Sequence, residues 1–187
     1  MEKPTAKQSL FNSAMSLFRR DGYENVTIRQ ICQEAGVTRN AFYYYFGSKE
    51  ELLSSYFENI PTFTEKLVSE LMRLQSDWEK VWYIFQAHIK LIETEGVSIC
   101  RAFLRVNMEG CGDLLMKYSI SERICIPLIK NCQDSGQISN MTEPSRLNYI
   151  ATRMLSGILL VWCCKDGAFD LISDCKASFF SLMSPAQ

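Results

Sequence analysis

Residues 38–49 bring together side chains that could recognise a nucleic acid. The planar guanidinium of Arg39 can make two parallel hydrogen bonds to guanine, and the amide of Asn40 can pair in the same way with adenine. Ala41 is small enough for close approach to a base or for contact with a thymine methyl group. Tyr43 carries a hydroxyl group on a rigid arm, which suits a phosphate oxygen. These residue types predict contact with both the base edges and the backbone of a nucleic acid.

Apolar spacing predicts that these side chains lie on the second of two short, closely spaced helices. Phe42 and Phe46 are one turn apart and predict the buried face of a helix over 38–46. A preceding helix over 27–35 is separated from it only by Gly36 and Val37. Two short helices this close, following a helix that packs across both, are typical of a helix-turn-helix, which places the start of its second helix in the major groove.

The same spacing continues through the chain, whereas the alternating pattern of β-strands is scarce. It predicts an all-α fold of about nine helices, with a three-helix head over 1–49 and a larger helical body over 50–187. The first predicted helix of the head ends at Arg19 and Arg20. We expect these two residues to be a solvated helix end rather than contacts. The predicted helices cover 5–20, 27–35, 38–46, 48–74 with a kink at Pro61, 77–95, 97–110, 114–135 with a bend at Pro127, 144–164 and 170–183.

Composition and charge limit the possible classes of protein. With 47% hydrophobic and 22% charged residues, the chain is typical of a globular protein rather than a disordered one. No uninterrupted apolar run approaches the roughly 20 residues that cross a bilayer, and the N-terminus lacks a secretion signal, so we expect a cytoplasmic protein without a membrane partner. Residues 1–49 carry seven Lys or Arg against four Asp or Glu, which is compatible with phosphate contact by the head.

The string VTIRQICQEAGVTRNAFYYYFGSKEELL resembles the signature of the TetR (tetracycline-repressor-like) family. The matching features are a Thr-capped helix, Ala-Gly-Val, a second cap, an aromatic pair and Lys-Glu-Glu-Leu; FRRDGY at 18–23 resembles the end of that family's first helix. The resemblance covers about residues 7–55, and the remainder is similar only in being a helical body of suitable length. It implies a dimeric DNA-binding transcriptional regulator.

The resemblance also implies roles for individual residues of the head. It assigns contact with the DNA backbone to the positions of Thr27, Tyr43 and Lys49, and contact with bases to those of Arg39, Asn40 and Tyr44. The residues themselves add two expectations, base contact by Ala41 and phosphate contact by Thr38. Tyr45 falls partly on the inner face, so we expect it to pack rather than to bind DNA.

For the body, the resemblance implies a pocket for a small hydrophobic or amphipathic effector. The candidates share an aromatic, polarizable or polar side chain on the middle helices, and packing in an ordinary core is the alternative for each. They are Trp78, Trp82, Phe85, His88, Phe103, Met108, Cys111 and Trp162.

The resemblance further implies a homodimer formed through the last two helices. The helix over 144–164 carries two apolar stripes and therefore needs cover on two sides. The dimer candidates are Ile150, Met154, Gly157, Ile158, Val161, Phe179 and Phe180. A two-fold dimer would match a palindromic double-stranded DNA operator, with half-sites about 34–36 Å apart or a multiple of that distance.

Other functions have less support in the sequence. The eight cysteines include no C-x-x-C and are expected to be reduced core residues, and the single histidine leaves little for a metal site, so we predict neither a metal nor a cofactor. No catalytic motif of a helical-bundle enzyme is present, which argues against an enzyme. The favoured interpretation is a repressor released by an effector; the alternative is an activator or co-regulator whose body binds a protein partner.

Overall fold

The computed structural model describes residues 4–59, 64–109 and 119–186. These residues form nine α-helices and one 3-10 helix, with no strand, which confirms the predicted all-α fold. The helices are α1 (Ala6–Asp21), the 3-10 helix (Tyr23–Asn25), α2 (Ile28–Ala35), α3 (Arg39–Tyr45), α4 (Lys49–Asn59), α5 (Glu65–Arg73), α6 (Asp77–Glu109), α7 (Ser119–Asp134), α8 (Pro144–Cys164) and α9 (Leu171–Met183).

The described residues divide into two compact units. The first contains residues 4–59 and 95–109, and the second contains residues 64–94 and 119–186. Helix α6 contributes to both, and its regular path breaks at Gly96, where φ is 80° and ψ is 166°. Glycine adopts such a φ readily because it has no Cβ. The break lies where the sequence predicts a boundary between helices over 77–95 and 97–110.

The single helix predicted over 48–74 is wrong. Helix α4 ends at Asn59 and α5 begins at Glu65. Between them, Thr64 has an extended backbone, and its hydroxyl oxygen accepts a hydrogen bond from the Leu67 N–H at 3.1 Å, so it is the N-cap of a new helix. The 3.6-residue spacing of apolar side chains continued across the boundary between α4 and α5, so the spacing did not indicate a break. Thr64 was nevertheless a possible start of a helix. Pro61, the predicted kink, lies outside the described residues.

The three helices of the head surround a small apolar core. Phe18 from α1, Ile31 from α2 and Phe42 from α3 are buried. Gly36 ends α2 in the left-handed conformation, with φ 66° and ψ 30°, and the following Val37 N–H donates to the Cys32 carbonyl at 3.0 Å. This cap turns the chain within three residues, so α3 begins directly beside α2, as a helix-turn-helix requires.

The second unit is organised around aromatic side chains of α6 and α9. The ring of Phe179 is fully buried, and its centroid lies 4.7 Å from that of Phe85 and 5.7 Å from that of Trp78. Helices α7 and α8 complete this core with buried residues such as Cys125 and Leu147. By length and composition alone α8 could cross a membrane, and about a third of its apolar window, 33%, is buried in the structure.

An ion pair joins α1 to the part of α6 in the same unit. Arg19 donates from Nε and Nη2 to the two carboxylate oxygens of Glu95, at 2.9 Å each. The Glu95 side chain is only 3% exposed, while that of Arg19 is 46% exposed. Arg19 is exposed, as expected of a solvated helix end, but the ion pair with Glu95 was not predicted. Its partner comes from a residue 76 positions away, so no local pattern in the sequence could reveal it.

We expect Arg19→Gln to lower the free energy of unfolding by roughly 1–3 kcal/mol, because it leaves the buried Glu95 carboxylate without its charged partner. Urea denaturation measures this change. Arg20→Gln is the matched control, since Arg20 makes a similar two-bond pair with Asp21 that is more exposed, and solvent-exposed pairs contribute little to stability. Equal effects of the two substitutions would show that the burial of Glu95 is unimportant.

Candidate functional site

The outer face of α3 presents polar and aromatic groups away from the core of the head. Arg39 and Asn40 at its start are exposed, while Phe42 in the same helix is buried. Tyr43 is about half exposed and Tyr44 is 82% exposed. Exposed aromatic rings beside a guanidinium and an amide are typical of a binding surface rather than of an ordinary solvated face.

The two threonines expected to contact phosphates are both helix caps, but their hydroxyl groups are used differently. Thr27 starts α2 with a capping box, in which its hydroxyl donates to Gln30 Oε1 at 2.7 Å and accepts from the Gln30 N–H at 3.3 Å. Thr38 starts α3 and accepts from the Ala41 N–H at 3.2 Å. Among the described residues the Thr38 hydroxyl proton has no acceptor, so Thr38 is the better placed of the two to donate to a phosphate.

Lys49 has partners within the head. Its Nζ donates to the carbonyl oxygens of Tyr23 and Val26, at 2.9 Å each, and lies 4.2 Å from the centroid of the Tyr23 ring. Burial lowers the pKa of Lys49, and the neighbouring carboxylates of Glu24 and Glu50 oppose that change. Two of the three ammonium protons are thus committed to the segment that leads into α2. These contacts favour a positioning role for Lys49 over the phosphate contact predicted from the sequence, and the salt dependence of DNA binding distinguishes the two roles.

We expect Lys49→Met to weaken operator binding without changing its dependence on salt, because the substitution releases the Tyr23–Val26 segment rather than a phosphate. The measurement is the slope of log Kobs against log salt concentration. A lost phosphate contact would reduce the magnitude of that slope by about 0.9. Thr38→Ala should also weaken binding with no change in slope, since a neutral hydroxyl that donates to a phosphate releases no counterion. A reduction of about 0.9 with Lys49→Met would restore the phosphate role.

A cavity of about 50 Å³ lies within the second unit, between α6, α8 and α9. Most of its walls are aliphatic, and its polar groups are an imidazole, two hydroxyls and a thiol. The lining residues are Ile84, Phe85, His88, Ile89, Ile92, Thr152, Leu155, Ser156, Leu159, Leu171 and Cys175. An apolar cavity with a few convergent polar groups is the usual form of a small-molecule site.

Two of the predicted pocket residues, Phe85 and His88, line this cavity. Trp78 and Trp82 pack instead against Phe179 and Phe180. Trp162 is buried, and its indole N–H donates to the Phe169 carbonyl at 3.2 Å.

Two further pocket candidates, Phe103 and Met108, do not line the cavity. Phe103 and Met108 belong to the first unit, where Phe103 is buried and Met108 is 69% exposed. Cys111 lies outside the described residues. Thr152 and Ser156 were not predicted, because the candidates were aromatic and polarizable residues. Two hydroxyl residues one turn apart on an apolar helix could have indicated a polar edge of a pocket.

His88 is held in a defined orientation on the cavity wall. Its Nδ1 lies 2.8 Å from the Ile84 carbonyl oxygen, an acceptor only, so Nδ1 carries the proton and Nε2 of the neutral ring is an acceptor. Burial lowers the pKa of His88, and the hydrogen bond to the Ile84 carbonyl partly opposes this. Burial also raises the pKa of the Cys175 thiol to about 12. Both groups are therefore uncharged at neutral pH.

We expect stability to fall on acidification in a way that depends on His88. The unfolded chain binds a proton near pH 6.5, but the folded chain does so only at lower pH. The contribution of the neutral imidazole to the free energy of unfolding is therefore complete above pH 6.5 and is lost as the pH falls through the lowered pKa. The loss is at most about 1.4 kcal/mol per pH unit.

The measurement is the free energy of unfolding of wild type and His88→Asn between pH 7.5 and 5.5, since an Asn amide can still donate to the Ile84 carbonyl. The difference between the two proteins should shrink as the pH falls. A constant difference across this range would mean that His88 titrates alike in the folded and unfolded chains.

The predicted dimer residues lie in different environments on α8 and α9. Gly157 and Val161 are exposed on α8, together with Tyr149 and Leu160, while Ile150, Met154 and Ile158 are half-buried. Phe180 is half-buried against Trp78 and Trp82. Phe179 is fully buried within the second unit, so its inclusion in an exposed face is corrected. The apolar patch that is accessible to a partner thus lies on the second half of α8.

Most of the described cysteines are small core residues. Cys32, Cys100, Cys125, Cys132, Cys163 and Cys175 are buried, and Cys164 is exposed. Burial raises the pKa of Cys125 to about 12 and that of Cys132 to about 11, which disfavours the reactive thiolate. In the described part of the chain, no group of three or more His, Cys, Asp or Glu side chains could hold a metal ion.

Comparison with known proteins gives a family match for the head. Residues 10–56 match the model of the family described as bacterial regulatory proteins, tetR family. The Transposon Tn10 TetC protein of Escherichia coli is 34% identical over 85 residues, which are 46% of this chain and 43% of that protein. The HTH-type transcriptional regulator HbdR of Aromatoleum sp. (strain CIB) is 26% identical over 167 residues, covering 87% of this chain and 71% of its own length.

Among solved structures, the fold is similar to that of Thermus thermophilus FadR, described as a TetR family transcriptional repressor in complex with lauroyl-CoA. The TM-score is 0.70 at 18% identity, and the match covers 94% of this chain and 92% of that one. The head therefore matches in sequence, whereas the body matches mainly in fold.

Proposed function

Since the chain belongs to the tetR family of bacterial regulatory proteins, we propose that it is a dimeric, cytoplasmic repressor that leaves a palindromic DNA operator when an effector binds its body. The observation that carries this proposal is the outer face of α3, where Arg39, Asn40 and two exposed tyrosines follow a capped, tight turn. In a helix-turn-helix, the residues at this position enter the major groove.

The residues of the head divide between positioning and sequence choice. Arg39 and Asn40 have the donor and acceptor patterns to read guanine and adenine, and Tyr44 is more exposed than Tyr43. Ala41 allows α3 to approach the bases closely. Thr38 and Tyr43 hold the DNA backbone, with Thr27 contributing at the start of α2. Contacts of this second kind fix the orientation of the head without selecting a sequence.

The effector site in this proposal is the cavity of the second unit. Ile92 lines the cavity, and three residues later on α6 Glu95 makes the ion pair with Arg19 of the head. A ligand that prefers one arrangement of α6 would thereby bias the head, since a ligand shifts an equilibrium by its difference in affinity for the two states. A 100-fold loss of operator affinity requires a coupling free energy of about 2.7 kcal/mol.

Dimerisation would use the exposed apolar patch of α8, where Leu160 and Val161 lie beside the small residue Gly157. A glycine at this point allows two helices to approach closely. A second copy of the chain would cover side chains that are otherwise exposed to water, and its two-fold symmetry would match a palindromic operator.

We expect Arg39→Ala to weaken binding to the operator by roughly 10- to 100-fold and to relax the choice of base at one position, because a two-bond contact to guanine is lost. Tyr43→Phe should weaken binding by a similar factor for all sequences, since it removes a backbone contact. Electrophoretic mobility shift measures both, using duplex DNA that the protein has selected from a random pool.

The matched control for Tyr43→Phe is Tyr45→Phe, which removes the same hydroxyl group from a half-buried residue and should change affinity less than two-fold. Unchanged binding by both Arg39→Ala and Tyr43→Phe would overturn the assignment of α3. A promoter reporter in a deletion strain separates the regulatory modes: expression should rise without the repressor, and a fall would favour an activator with a protein partner.

A further inference from the structure

The wall of the cavity in the second unit is uncharged. Its eleven lining residues include no Asp, Glu, Lys or Arg. The two titratable groups in the lining, His88 and Cys175, have pKa values displaced by burial in the direction that keeps each neutral. An ionic group placed there would lose its hydration and gain no counter-ion, which costs several kcal/mol.

The hydroxyl groups of the wall are oriented by α8 itself. Thr152 Oγ1 donates to the Asn148 carbonyl and Ser156 Oγ donates to the Thr152 carbonyl, at 2.9 Å each. Their protons are therefore directed along the helix, and each oxygen keeps lone pairs as an acceptor. The two hydroxyls are four residues apart and so lie on one face of α8. The polar edge of the cavity thus offers acceptors, which suit a ligand that donates a hydrogen bond.

The size of the cavity further restricts which ligands can enter it. The free space of about 50 Å³ is far below the roughly 300–1,000 Å³ of typical ligand sites. Aliphatic side chains such as Leu155 and Leu159 must therefore move apart as a ligand enters. A narrow, flexible hydrocarbon skeleton meets this requirement better than a rigid polycyclic one, because it can enter a narrow space and fill it progressively.

We propose that this cavity takes an uncharged, mainly hydrocarbon molecule with one hydroxyl donor, of the class of medium-chain alcohols, and discriminates against the carboxylate and ammonium forms of the same skeleton. The oxygen of Thr152 or Ser156 accepts the hydrogen bond of the ligand, and the leucines and isoleucines of α6, α8 and α9 surround its chain. This inference rests on the proposed function, in which the cavity is the effector site.

The first test compares three ligands of one length with the full-length protein at pH 7.5: octan-1-ol, octanoate and octylammonium. Isothermal titration calorimetry measures the affinity of each. Octan-1-ol should bind saturably, and the two ions should bind at least ten-fold more weakly. Octanoate or octylammonium binding as tightly as the alcohol would overturn the proposal, as would the absence of binding by the alcohol.

The second test uses substitutions with matched controls. Octan-1-ol has one hydroxyl proton, so at least one of Thr152→Val and Ser156→Ala should weaken its binding by roughly three- to ten-fold, the usual effect of one lost hydrogen bond. Thr94→Val and Ser181→Ala are the controls, since these exposed hydroxyls also donate to the carbonyl four residues earlier but do not line the cavity. Equal losses in both pairs would place the alcohol elsewhere.

A third variant tests the role of charge directly. Ile92→Arg puts a guanidinium at the half-buried edge of the cavity and should improve octanoate binding at least ten-fold relative to octan-1-ol. Thermal unfolding of each variant confirms that it is folded. An unchanged preference in the folded variant would show that the neutral lining does not set selectivity.

Mobility shift with operator DNA, repeated with the same ligands, separates this inference from the proposed function. Release of DNA by octanoate but not by octan-1-ol would keep the regulator and overturn the ligand class. Selective binding of octan-1-ol by the cavity, with no effect on operator affinity, would keep the ligand class and remove its role as the effector site.

Discussion

Helices as short as α2 and α3 do not persist alone in water, because a few hydrogen bonds cannot offset the cost of starting a helix. Both therefore depend on burial against α1, and Phe42 supplies much of it from α3. The orientation of the outer face follows from that inner contact, since side chains on one helix keep fixed angles to each other. The DNA contacts proposed for Arg39 and Tyr44 therefore depend on the packing of Phe42, which is buried in the head. The Gly36 cap precedes α3 in the chain, and the Lys49 hydrogen bonds to backbone carbonyls follow it. Both help to fix the orientation of α3 within the head.

The sequence predicted the head well because its information is local. Threonine caps, glycine ends and apolar spacing all act within a few residues, and they placed α2, α3 and the turn between them to within a residue or two. The role of Arg19 could not be predicted in this way, because Glu95 is distant in the sequence. The division of α4 from α5 was missed for a different reason: a cap signal at Thr64 competed with a continuous apolar period, and the cap prevailed.

In the body, the sequence predicted helices but not which of their faces would enclose space. Large aromatic residues were reasonable candidates for a ligand site, yet Trp78 and Trp82 fill the core through contacts with α9. The space remained where smaller residues, Thr152 and Ser156, face aliphatic ones. Cavities arise where packing is incomplete, and a list of residue types does not reveal incomplete packing. The same limit applies to Phe179, whose burial depends on aromatic side chains of α6 rather than on its own helix.

The uncharged lining of the cavity would make the two proposed binding events, to DNA and to a neutral effector, respond to different physical variables. Attachment to DNA releases counterions and weakens steeply as salt rises. A neutral ligand among aliphatic side chains exchanges no ions, so its affinity should be almost independent of ionic strength. A cell whose internal salt rises would therefore lose operator occupancy while effector occupancy stayed constant. Osmotic conditions would then shift the effector concentration at which the operator is vacated, with no change in the effector site itself.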